Sequence, residues 1–159
     1  MDFSFSEEQQ AVSDLAAQIL GDQSTNDALK AHEATGEPYP AGLWSALADA
    51  GLLGIALPED VGGSGLGFLE ACLVLEQIGR TTAPVPYFAT VMAALAVNQF
   101  GSDEQRQALL PGVADGSRVL TVRDAGGTTP WDVFVNTYRV DGTLSEQRLT
   151  NNDGSVTRT

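Results

Sequence analysis

Through the first 116 positions apolar residues recur at helical intervals, and glycine or proline closes each run. Ser6 with Gln9 makes a capping box, and Val12, Leu15, Ala16, Ile19 and Leu20 follow on one face, with Gly21 the expected end. Residues 22–39 are polar, carry Gly36 and Pro38, and read as a loop. A second helix starts near Pro40, with Leu43, Trp44, Leu47 and Ala48 as its stripe and Gly51 as a left-handed stop. The third, from about Phe68 to Ile78, is apolar on most sides and so is buried or packed on a partner, ending at Gly79. The stretch from Tyr87 to Val97 is almost wholly apolar, yet its 11 residues fall short of the roughly 20 that span a bilayer, so it is a core or interface helix. Ser102 and Gln105 open the last helix, which carries Leu109, Leu110 and Val113, with Pro111 and Gly112 near its end.

After Gly116 the pattern changes. Val119 to Val122 reads as a short strand, Asp124 to Pro130 as a turn-rich loop, and the alternation of Trp131, Val133 and Val135 with Asp132, Phe134 and Asn136 as a weak strand. Tyr138 to Val140 leads into an Asp141-Gly142 hairpin turn. This second part holds little apolar material with which to close a sheet. The expectation is a mainly α chain: a helical domain over 1–116, then a short, incomplete β segment over 117–159, partly disordered. A length of 159 residues suits one domain, or one domain and the start of another.

Acidic residues outnumber basic ones 21 to 8, a net charge of -13, which disfavours nucleic acid and anionic membrane surfaces as partners. The acidity belongs to the helical half: residues 1–80 hold 13 acids and 2 bases, and residues 81–159 hold 8 and 6. A single cysteine, Cys72, excludes an intrachain disulfide and a cysteine-ligated zinc site, and a single histidine, His32, excludes a multi-histidine metal site. The opening MDFSFSEEQQ is acidic and has no apolar core segment, so no secretory signal is read there and a soluble, cytoplasmic setting is expected.

Several features could carry chemistry. Gly62-Gly63-Ser64-Gly65-Leu66-Gly67 suggests a phosphate loop, but it lacks the lysine of a P-loop and the strand–helix frame of a dinucleotide site; a flexible connection is the plainer reading. Cys72 lies inside an apolar helix as an inert core residue, and His32 has no evident serine or cysteine partner. Glu59 and Asp60 follow Pro58 as solvated carboxylates. Glu70, if it faces inward, needs partners, and Glu76 is spaced to pair with Arg80. None of these makes a catalytic constellation, and no catalytic or metal-ligating residue is assigned.

The order of the pieces resembles that of the acyl-CoA dehydrogenases over residues 1 to about 122. Phe5 to Gln9 is similar to the family's opening F-S-E-E-Q. Residues 47–67 carry L-A-D-A-G-L-L-G-I-A-L-P-E-D-V-G-G-S-G-L-G, residues 75–80 L-E-Q-I-G-R, and Phe100 to Arg106 with Leu109-Leu110-Pro111 resembles G-S-x-E-Q-(K/R)…L-P. The resemblance implies a helical N-terminal domain of that type, with a small β domain and a C-terminal helical bundle beyond it. It also implies FAD and the α,β-oxidation of an acyl-CoA thioester in fatty acid or lipid catabolism. In that chemistry a carboxylate removes the proton beside the carbonyl and the flavin takes hydride from the next carbon.

The family's catalytic glutamate comes from the bundle, so no residue here inherits that role. The resemblance points to Pro86, Tyr87 and Thr90 as one wall of the acyl cavity, with the start of a core helix an equal reading of Tyr87. For FAD it points to Val122, Gly127 and Thr128, in a stretch where Arg123 stands for the family's glutamate and Asp124 for its proline. Those departures count against FAD binding by this chain alone. The expectation is a truncated chain, inactive by itself, in a homo- or hetero-oligomer with acyl-CoA dehydrogenase subunits. The alternatives are a non-catalytic subunit packing on a full-length partner and an unrelated helical interaction protein.

Overall fold

The computed structural model describes residues 4–124, 133–138, 144–150 and 156–158. Among them, six helices precede four strands: α1 Glu7–Gln23, α2 Asn26–Thr35, α3 Ala41–Asp49, α4 Phe68–Thr81, α5 Tyr87–Phe100, α6 Asp103–Ala114, then β1 Val119–Asp124, β2 Val133–Tyr138, β3 Leu144–Thr150 and β4 Val156–Arg158. The mainly α architecture is as the sequence implies.

Both halves of the capping box at Ser6 form: the Ser6 hydroxyl accepts from the Gln9 amide at 3.1 Å, and the Gln9 side chain accepts from the Ser6 amide at 3.0 Å. The helix does not stop at Gly21 but runs on to Gln23. Gly79 likewise fails to end α4, which continues to Thr81 and stops at Thr82, a non-glycine residue at φ 51°. Glycine permits a left-handed turn without imposing one, and each helix runs on for two more residues that are exposed or half-buried. The expected loop at 22–39 is also corrected, because α2 occupies most of it. The Thr25 side chain accepts from the Ala28 amide, five helix-tolerant residues follow from Ala28 to His32, and Gly36 ends the run at φ 72°. This helix has no buried residue, so its apolar periodicity is faint.

Gly51 does act as the predicted left-handed stop after α3, at φ 71°. Leu43, Trp44 and Leu47 bury the inner face of that helix. They share one core with Ala16 and Leu20 of α1, Ala71 and Val74 of α4, and Tyr87 and Val91 of α5. A second cluster joins Leu57 and Val61 to Ala93, Ala94 and Val97 of α5, Leu109, Leu110 and Val113 of α6, and Leu120 of β1. Thus α5 lies between the two, and β1 starts from inside the helical core. The Trp44 indole donates to the Gly116 carbonyl at 2.9 Å and ties α3 to the start of that strand.

The strands form an antiparallel meander in the order β1-β2-β3-β4. The first strand runs two residues beyond the expected Val122, and the two weak strand signals around Val133 and Tyr138 belong to one strand. Val122 pairs with Val135, and Tyr138 pairs with Leu144 across the expected hairpin. The Asp141-Gly142 turn lies outside the described residues, as do most of the Asp124–Pro130 loop and most of the polar segment after Thr150.

Candidate functional site

The three residues assigned to an acyl wall fall in the first turn of α5. Pro86 caps the helix without a side-chain bond, and its carbonyl accepts from the Thr90 amide at 3.1 Å. Tyr87 is fully buried, and its hydroxyl donates to the Leu52 carbonyl at 3.0 Å, pinning the start of α5 to the segment after α3. Burial, and secondarily the nearby Cys72, push the phenol well above its ordinary range, so Tyr87 stays a neutral donor rather than an acid or base at pH 7. Thr90 is also fully buried, yet its hydroxyl makes no hydrogen bond among the described residues. A helical threonine ordinarily returns its hydroxyl to a carbonyl one turn back, so an orphan of this kind marks a place where a polar partner is missing.

The opposite side of α5 presents Phe88, Met92 and Phe100 to solvent, Phe100 at 75% exposure. Phe68 and Leu69 stand exposed at the start of α4. By sequence α4 is apolar on most sides and α5 almost wholly apolar, which hides a second face; the i, i+4 spacing of Phe88 and Met92 is the signal for it. Of the residues assigned to FAD, Val122 lies in β1 with its side chain outside the described set, and Gly127 and Thr128 lie wholly outside it.

The glycine run is a fixed structure rather than a flexible link. Its amides bond inward: Gly62 to the Glu59 carbonyl, Gly63 to Pro58, Ser64 to Gly54, Gly65 to Leu57 and Leu66 to Ile55, all at 2.8–3.1 Å. Amides so engaged are not available to cradle a phosphate. Gly63 is required by contact, since a Cβ there would sit 2.1 Å from the Leu57 carbonyl oxygen.

The remaining polar groups fasten helices together. Glu70 faces inward and finds partners: one oxygen accepts from the Gln9 side chain at 3.0 Å and the other from the Gly67 amide at 2.8 Å. The Gln9 bond, with local backbone bonds, holds its carboxyl below the usual range. Gln77 donates to the Ser13 hydroxyl at 3.0 Å, so two polar bridges join α4 to α1. Glu76 and Arg80 form the predicted surface pair at 2.6 Å, and Arg106 of α6 reaches Asp60 at 3.4 Å. Cys72 and His32 are half-buried. Among the described residues no helix is long and apolar enough to cross a membrane.

The helical part with its two core clusters, followed by a β meander, superposes on known proteins. Residues 6–117 match the family described as "Acyl-CoA dehydrogenase, N-terminal domain". The chain belongs to the acyl-CoA dehydrogenase family. It is 37% identical over 123 residues to Acyl-CoA dehydrogenase FadE27 of Mycobacterium tuberculosis, an alignment covering 77% of this chain and 33% of that protein. Among solved structures it superposes with TM-score 0.72 on a variant of the Tcur3481-Tcur3483 steroid ACAD, at 37% identity over 96% of this chain and 47% of that one. The ChsE4-ChsE5 complex from Mycobacterium tuberculosis contains a chain matching all of this one and 48% of its own length, at 27% identity and TM-score 0.76. This acyl-CoA dehydrogenase family member therefore spans about a third of FadE27 and about half of each solved chain. The reading as an unrelated helical protein is overturned by the family match.

Proposed function

We propose that this chain supplies the helical wall of an acyl-CoA dehydrogenase-type, FAD-linked oxidoreductase carrying out α,β-oxidation of an acyl-CoA thioester, and that it is inactive by itself. The observation that carries the reading is the family match over residues 6–117, which covers the whole helical part. In this reading residues 1–116 form the helical domain and 117–159 the start of a β domain. Pro86, Tyr87 and Thr90 form the acyl-facing turn, and the Thr90 hydroxyl, unpaired among the described residues, supports that placement. Tyr87 contributes by fixing the turn through Leu52 rather than by exchanging protons.

FAD enters through the family. The described residues do not fit it by themselves: the glycine run has spent its amides inward, and Arg123 and Asp124 replace the glutamate and proline of the family phrase. We assign Val122, Gly127 and Thr128 as the contacts this chain would add to a flavin held mainly elsewhere, and we assign it no redox step. Purification of the chain alone tests this. A colourless product without acyl-CoA oxidation towards an artificial electron acceptor is expected; a yellow product with a flavin spectrum and turnover overturns the proposal.

A second reading makes the chain a subunit that packs on a full-length acyl-CoA dehydrogenase partner in a homo- or hetero-oligomer. The exposed Phe88, Met92 and Phe100 favour it, because a soluble helix rarely leaves a run of large apolar residues open. Mixing with a co-expressed full-length family member tests this. Co-elution with gain of acyl-CoA binding supports it, and separate elution with no gain refutes it.

A further inference from the structure

We draw no further inference here: the strongest candidate, the outer face of α5 where Phe88, Met92 and Phe100 stand exposed, carries nothing beyond the subunit reading above, because nothing in the structure shows what covers it.

Discussion

Replacing Thr90 by valine tests whether the wall of α5 holds an unmet polar group. Thr90→Val exchanges a hydroxyl for a methyl of nearly equal size, keeps the β-branch, and so leaves helix propensity and packing volume almost unchanged. Only the hydroxyl's hydrogen bonding is altered. The side chain is 0% exposed and its Oγ1 has no partner among the described residues. Burying a hydroxyl without a partner costs about 1–3 kcal/mol. Removing it should therefore stabilise the chain by about 1 kcal/mol, which for a chain of this length is a rise in melting temperature of about 2–4 °C. Had the hydroxyl been bonded to the Pro86 carbonyl, the same exchange would instead cost about 1 kcal/mol, so the sign decides. The assay is thermal and urea unfolding of parent and variant, followed by far-UV circular dichroism. Thr90→Ser is the control: it keeps the hydroxyl, loses a buried methyl, and should destabilise by about 1 kcal/mol. A Thr90→Val chain less stable than the parent by 1 kcal/mol or more refutes the reasoning. Where acyl-CoA binding is recovered by mixing, the valine variant should bind more weakly although it is the more stable protein.

Gly63→Ala should destabilise by about 3–5 kcal/mol, because the new Cβ must part the backbone bonds from Ser64, Gly65 and Leu66 to residues 54–57; a urea midpoint near that of the parent refutes the clamped turn. Gly21→Ala, in the last turn of α1 with nothing within 4 Å of the added carbon, should stabilise by about 0.5 kcal/mol in the same titration. Trp44→Phe leaves the buried Gly116 carbonyl without its donor and should cost about 2–3 kcal/mol, read from denaturant unfolding; a loss under about 0.5 kcal/mol would mean the bond is dispensable. Glu70 has a depressed folded-state pKa, so its contribution is complete above about pH 4.3, its unfolded value, and is lost as pH falls through the folded value. Glu70→Gln should flatten the stability profile below pH 4, and an acid limb unchanged from the parent would count against the Gln9–Glu70 bridge.

Where the sequence is legible, one local cause dominates. The capping boxes at Ser6 and Ser102 are satisfied by residues three positions away, and the stop at Gly51 needs only a backbone free to reach positive φ. The stripe of Leu43, Trp44 and Leu47 faces a core from its spacing alone. The helix α2 is illegible for the converse reason: it buries nothing, so the apolar period that reveals a helix is missing and only the Thr25 cap announces it. Gly21 and Gly79 mislead because glycine permits a left-handed stop without imposing one, and each helix runs on for two more residues.

The candidate site is legible only through kinship, and the glycine run shows why. From composition it is a flexible or phosphate-holding segment, since four glycines in six residues look like freedom. In the fold Gly63 is there for lack of bulk against the Leu57 carbonyl, and the amides of Gly62, Gly63 and Gly65 are consumed in pairing with carbonyls three to eight positions earlier. Whether an amide faces a ligand or its own chain depends on contacts that a one-dimensional pattern does not contain. The same holds for Thr90, one threonine among many in the sequence. Its hydroxyl becomes informative only when the core closes around it and, among the described residues, supplies no partner, and that is a property of the packed chain rather than of the residue.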